Sequence, residues 1–217
     1  MKTATLISII LFQLIFNSAS CQLSQPQLDS VVRKYAKDLT KKGIDTICIY
    51  QQYCIGCFLS SQTDEPMCSQ NILFFPSYIF WIDKGNTYIT KKDACFDYSA
   101  PKIVNDSFWR FYLGNSDKIK KEELKKPQYK QKVNGKDQIQ TMDIDRAVFY
   151  RIYFRMGKDT MLKNLNNFYF TEKLGPDEDK NLNYDFNIQT QLKKLQLYLQ
   201  RAVSAELEKK RLIKTLR

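Results

Sequence analysis

The sequence predicts an α+β fold: an antiparallel sheet built from two hairpins, with the N-terminal helix and a long C-terminal helix packed on one face. In residues 78–92, two runs rich in aromatic and β-branched residues meet at a glycine turn, 84–86. A second run, 147–156, is followed by a turn and a partner strand at 160–171. Apolar residues at helical spacing precede the first hairpin and follow the second. Strands flanked by helices in this order are typical of an α+β domain.

Residues 1–20 are predicted to be a signal peptide. Lys2 gives a basic start, residues 6–16 are apolar, and residues 17–20 are small enough for cleavage. The apolar run is shorter than the roughly 20 residues that a membrane-spanning helix needs, which favours export over a membrane anchor. We expect a single domain over 21–217 that is periplasmic, extracellular or lipid-anchored at the cell envelope.

Cys21 directly follows Ala19 and Ser20, an arrangement that resembles the lipobox of bacterial lipoproteins. The resemblance implies that Cys21 is acylated and becomes the mature N-terminus. Ser18 stands where such boxes usually carry an aliphatic residue. The alternative is cleavage by a signal peptidase near Ser20 or Cys21.

The cysteines all lie in the first half of the chain, and in an exported protein they indicate structural disulfides. Cys54-x-x-Cys57 also has the spacing of a thiol oxidoreductase, which would want its first thiol at a helix N-terminus. The surroundings read as strand, so thiol–disulfide activity is kept as an alternative. A bridge from Cys68 to Cys95 could close the base of the first hairpin. The candidate bridge cysteines are Cys48, Cys54, Cys57, Cys68 and Cys95.

The chain is basic, with a net charge of +11, or +10 (11 minus 1) without the signal peptide, which contains only Lys2. Two segments, 118–136 and 193–217, each hold eight Lys or Arg residues. The candidate partners are an anionic membrane surface, a polysaccharide or an acidic protein rather than nucleic acid. A solvated lysine-rich surface explains the same pattern.

The sequence has no histidine. This excludes Ser-His-Asp and Cys-His catalysis and histidine metal ligation by this chain alone. We name no catalytic residue, cofactor or metal ligand from the sequence.

Residues 26–42 are predicted to form an amphipathic helix that begins at Pro26 and ends at Gly43. Its apolar stripe consists of Leu28, Val32, Tyr35 and Leu39. Segments 44–50 and 53–58 read as two strand pieces separated by a bulge. After the first hairpin, 105–113 reads as a short helix or turn packed on the core.

The lysine-rich segment near 115–140 is predicted to be an exposed, mobile insertion. In the strand 147–156, Arg151 and Arg155 share the face opposite the apolar residues, where they either contact an anion or are solvated. The acidic turn 176–180 lacks the pattern of a calcium loop.

The longest predicted helix runs from residue 187 to the C-terminus. Its stripe consists of Ile188, Leu192, Leu195, Leu199 and Val203, and it should dock up to about Leu207 and leave a basic, partly free end. From all these features the sequence predicts an exported, non-catalytic envelope protein that binds a partner or ligand. The alternatives are a thiol-active protein or adhesion to anionic lipid or polysaccharide.

Overall fold

A computed structural model describes residues 25–55, 76–93, 96–103, 106–142, 147–174 and 179–215. The predicted signal peptide, Cys21, and the cysteines Cys57, Cys68 and Cys95 lie outside these ranges, as do residues 175–178 of the acidic turn. The expectations for them stay predictions.

The α+β class and the antiparallel sheet are confirmed. A seven-stranded sheet has the order β11-β4-β3-β2-β1-β7-β8, and β5–β6 and β9–β10 form separate two-stranded sheets. The helices are α1 Gln25–Lys41, α2 Ser107–Lys121, α3 Tyr184–Gln189 and α4 Gln191–Glu208, with a short 3₁₀ helix at Asn167–Phe170. The strands are β1 Thr46–Ile55, β2 Ser77–Asp83, β3 Asn86–Lys92, β4 Asp97–Tyr98, β5 Gln128–Val133, β6 Lys136–Thr141, β7 Ala147–Met156, β8 Asp159–Asn166, β9 Lys173–Leu174, β10 Asp179–Lys180 and β11 Lys214–Thr215.

Strand β1 lies at the centre of the large sheet and is continuous. It pairs with β7 in an unbroken register from Thr46 to Ile55. The bulge expected between two strand pieces is therefore wrong. The two glutamines that suggested a break lie within the strand. Gln51 is buried there, and its amide is satisfied by donating to Asp29 Oδ1 at 2.7 Å.

Both predicted hairpins are present. Lys84 and Gly85, with φ values of 48° and 74°, give the β2–β3 turn two left-handed central residues, as a type I′ turn requires. In the second hairpin, β8 ends at Asn166, earlier than the sequence indicated. The reason is local, because the Asn166 side chain accepts a hydrogen bond from Phe168 N and starts the 3₁₀ helix.

The terminal helices pack on opposite faces of the sheet, not on one face as expected. Ile47 and Ile49 of β1 belong to the hydrophobic cluster under α1. Cys48 and Tyr50, which alternate with these isoleucines along β1, belong to the larger cluster under α2 and α4. Because neighbouring residues of a strand point to opposite faces and both faces are apolar, each face needs its own helical cover.

The basic segment 118–136, expected as a mobile insertion, has regular structure. The predicted short helix extends to Lys121, with Ile119 fully buried. The remainder forms the hairpin β5–β6, whose turn repeats the left-handed pair at Asn134 and Gly135, with φ values of 52° and 74°. Its side chains are mostly exposed.

The C-terminal helix is broken at Thr190, whose hydroxyl accepts from Lys193 N and caps α4. Four residues of the predicted stripe, Leu192, Leu195, Leu199 and Val203, are buried on α4, whereas Ile188 lies on α3 and is half-buried. The basic end was expected to be partly free. This is wrong, because β11 pairs with β4. Arg211 also donates to the carboxylate of Glu206, which is 1% exposed.

Asn187→Ala should lower the free energy of unfolding by about 2–3 kcal/mol. The buried Asn187 amide accepts from Lys125 N and donates to the carbonyls of Lys125 and Tyr169, each at 2.9 Å. Truncation leaves these backbone groups unpaired. Urea denaturation measures the loss, with Asn164→Ala on the exposed edge of β8 as control; equal stability of the two variants would contradict this role.

Candidate functional site: a cleft between helix α1 and the sheet

A cleft of about 620 Å³ lies between α1 and strands β1, β7 and β8. Its floor is apolar, formed by Val32, Ala36, Ile47, Ile49, Tyr153 and Leu162. Its rim is polar and mostly cationic.

The cleft exists because α1 covers only part of its face of the sheet. Leu28, Val32 and Leu39 anchor the helix in a cluster that includes Ile79 and Trp81 of β2. The helix therefore lies over β2 and β3. The neighbouring surface of β7 and β8 stays uncovered, and Leu162 of β8 is 56% exposed there.

Arg151 is held by an ion pair. Its Nη1 lies 3.1 Å from Asp29 Oδ2 and 3.4 Å from Gln51 Oε1. The guanidinium also lies over the ring of Tyr53, 5.0 Å from its centroid. Asp29 is the only acidic residue among the described residues that line the cleft, and its carboxylate is ion-paired with Arg151.

Arg155 has neutral partners. Its Nε donates to Gly157 O at 3.2 Å, and its Nη1 donates to Thr40 Oγ1 at 2.9 Å. Thr40 in turn donates to Ala36 O of α1 at 3.0 Å. These contacts fix the guanidinium between strand and helix, and within the described chain no carboxylate neutralises it.

Arg33 and Lys37 complete the rim from α1. They are four residues apart, so they project from the same side of the helix, one turn from each other. Both are exposed, and neither forms an ion pair with any residue that the structure describes. The rim thus holds four cations against one carboxylate, a net charge of +3 (4 minus 1).

The structure brings the two predicted arginines together on one wall of this cleft, about 13 Å apart along β7. Whether they contact an anion stays a prediction. The sequence analysis missed Asp29, Arg33, Lys37 and Thr40. The signal was present, because all four lie beside the apolar stripe of α1 at the same helical spacing.

Cys48 was expected in a disulfide, and this is wrong. It is a free thiol that is fully buried. On β1 it pairs laterally with Phe80 and Phe154 and faces the core under α2 and α4. Burial raises the pKa of this thiol well above its usual value, which makes it unreactive.

Cys54 lies on strand β1 and is not free. Its strand position lacks the helix dipole that would activate a thiol in a Cys-x-x-Cys motif. Cys57, Cys68 and Cys95 lie outside the described residues, so the pattern of bridges stays a prediction.

The chemistry that the cleft offers is recognition. Its polar groups are guanidinium, ammonium, amide and hydroxyl groups, and its one carboxylate is ion-paired. In the part of the chain that is described, no three Cys, Asp or Glu side chains are grouped to hold a metal ion. Nor does any described helix have the length and apolar character to cross a bilayer.

Comparisons of the chain find no matching family model, no matching curated protein and no matching solved structure.

Proposed function

We propose that the protein is an exported, non-catalytic binding protein of the cell envelope that holds a small amphipathic anion in the cleft beside α1. The observation that carries the proposal is the combination of an apolar floor with Arg33, Lys37 and Arg155, three cations without a carboxylate partner among the described residues. The floor takes the hydrocarbon part of the ligand, and the rim takes its anionic group.

The size of the cleft supports a small-molecule ligand. Its volume of about 620 Å³ falls in the range of roughly 300–1,000 Å³ that is typical of ligand pockets. Arg155 is positioned by Thr40 and Gly157 before any ligand arrives. Such preorganisation lowers the entropy cost of binding.

Export rests on the pattern of residues 1–20. A binding role accords with the absence of histidine from the sequence. The buried Cys48 and the strand position of Cys54 argue for cysteines that serve structure rather than thiol catalysis.

Dodecanoate is a suitable probe because it combines one carboxylate with a single alkyl chain. The double variant Arg33→Gln/Lys37→Gln should bind dodecanoate about 3- to 10-fold more weakly, since partly solvated charge pairs each contribute about 0.2–1 kcal/mol. Both residues are exposed, so the variant should fold normally. Isothermal titration calorimetry below the micellar concentration measures the change.

Lys34→Gln/Lys42→Gln is the matched control, because it removes the same charge from two exposed lysines that do not line the cleft. It should bind dodecanoate like the unaltered protein. Dodecanol and dodecyltrimethylammonium test the charge requirement and should bind more weakly than dodecanoate. Equal binding of all three compounds, or equal losses of dodecanoate affinity in the two variants, would contradict the proposal.

A further inference from the structure

The hairpin β5–β6 stands apart from both hydrophobic clusters. None of its residues belongs to either core, and the side chains on both of its faces are largely exposed. A two-stranded hairpin is marginally stable by itself in water. This one is tied to the fold at its base, where Leu182 N donates to Gln128 O at 2.7 Å and Asn183 Nδ2 donates to Gln128 Oε1 at 3.2 Å.

The hairpin and the residues that lead into β5 are strongly cationic. Residues 125–141 contain five lysines and one acidic residue, Asp137, a net charge of +4 (5 minus 1). Lys130, Lys132 and Lys136 are exposed. None of these three forms an ion pair with another described residue.

The register places an apolar side chain among these charges. Lys130 lies opposite Ile139, and Lys132 lies opposite Asp137 as the next pair on the same face, whereas Lys136 lies opposite Val133 on the other face. Ile139 is 62% exposed, so lysines flank an uncovered aliphatic group at the surface. Long lysine side chains can keep their charges in a polar layer while an apolar neighbour enters a less polar one.

A second apolar group lies at the base of the hairpin. Leu182 and Phe186 are 40% and 46% exposed, and Lys125 Nζ lies 4.1 Å from the centroid of the Phe186 ring. Lysine next to exposed apolar residues is again the pattern of a surface that meets the boundary between lipid headgroups and acyl chains.

We propose that the hairpin β5–β6 docks this protein on an anionic lipid surface through one face, with Lys130 and Lys132 against the headgroups and Ile139 in the interfacial layer. An acidic protein would match the lysines but would leave Ile139 without a role. Strand addition from another chain is opposed by the lysines, since charged side chains protect open strand edges from pairing. The inference is independent of the ligand in the α1 cleft.

Sedimentation with vesicles tests the docking. The protein should bind vesicles of phosphatidylcholine that contain phosphatidylglycerol and should not bind vesicles of phosphatidylcholine alone. The double variant Lys130→Gln/Lys132→Gln should lose affinity on the order of 25-fold, because each lysine near an anionic surface contributes roughly a fivefold factor.

The matched control is Lys34→Gln/Lys194→Gln, which removes the same charge from exposed lysines elsewhere. It should retain vesicle binding within about threefold. Equal losses in the two double variants would overturn the proposal. So would binding to dextran sulfate without binding to the anionic vesicles.

Ile139→Trp adds a direct readout of insertion. Trp81 and Trp109 are buried, so a new exposed tryptophan can be followed by difference fluorescence. Its emission should shift to the blue with anionic vesicles and stay unchanged with neutral ones, and no shift with either would overturn the proposal. The cleft variant Arg33→Gln/Lys37→Gln should still bind vesicles, which separates this outcome from that of the proposed ligand site.

Discussion

Phe154→Ala should lower the free energy of unfolding by about 3–5 kcal/mol, the usual cost of truncating a buried phenylalanine. Phe154 of β7 is fully buried in the larger cluster. Its ring stacks on Tyr112 with centroids 3.9 Å apart and meets Trp109 edge-on at 5.3 Å. Truncation therefore removes these ring contacts between β7 and α2.

Urea denaturation followed by circular dichroism measures this loss. Phe186→Ala is the matched control, because Phe186 is 46% exposed and should contribute less than about 1 kcal/mol. If Phe154→Ala stays within 1 kcal/mol of the unaltered protein, roughly the noise level for surface changes, the packing of α2 on the sheet is not as described.

Arg211→Ala should destabilise the protein by about 3 kcal/mol, in the lower part of the range for a broken buried ion pair. The Glu206 carboxylate is 1% exposed and accepts from Arg211 Nη2. Without Arg211, the one cationic group among the described residues that stays paired with it is Lys209 Nζ, 3.5 Å from Oε1. That lysine is half exposed, so it compensates only part of the buried charge.

The pair also fastens the C-terminal segment. After Arg211 the chain returns to the sheet, where Ser99 Oγ donates to Arg211 O at 2.9 Å and β11 pairs with β4. In Arg211→Ala, the amide of Ile213, which donates to Ser99 Oγ, should exchange hydrogen faster than in the unaltered protein.

Two further variants separate charge from packing. Glu206→Leu/Arg211→Met replaces the pair with apolar side chains and should recover most of the lost stability, since such replacements are often neutral or stabilising. Arg201→Ala, on the exposed side of α4, should change stability by less than about 0.5 kcal/mol. Two results would contradict this role of Arg211. One is an Arg211→Ala variant as stable as the unaltered protein, and the other is a double variant that is less stable than Arg211→Ala.

The elements that local patterns determine were predictable from the sequence. The turn at Lys84 and Gly85 needs left-handed backbone, and a glycine between β-rich runs marks such a site. The buried stripes of α1 and α4 follow from spacing alone. Arg151 and Arg155 were found because strand alternation separates them from the apolar residues of β7.

Features that depend on distant contacts were not predictable. Alternation along β1 shows two apolar faces but does not say which helix covers each face. Thr190 is a good N-cap residue, but the apolar stripe continues across it and masked the break between α3 and α4. Asn134-Gly135 is a strong hairpin signal, yet it was missed because β5 and β6 are polar on both faces.

The site was only half visible for the same reason. Arg33 and Lys37 look like solvated helix residues until β7 and β8 are placed beside α1. The partial cover that leaves Leu162 exposed follows from where Leu28 and Val32 anchor the helix. That depends on the three-dimensional packing and not on any local motif.

Amide chemical shifts in nitrogen-labelled protein titrated with dodecanoate test most directly the proposal that an anionic ligand binds in the cleft beside α1. The account predicts that the largest changes map to the cleft wall, including Ala36, Thr40, Tyr153 and Leu162, and that they shrink in Arg33→Gln/Lys37→Gln at the same dodecanoate concentration. Largest changes in the hairpin β5–β6 or on the outer face of α4, with the cleft amides unmoved, would contradict it.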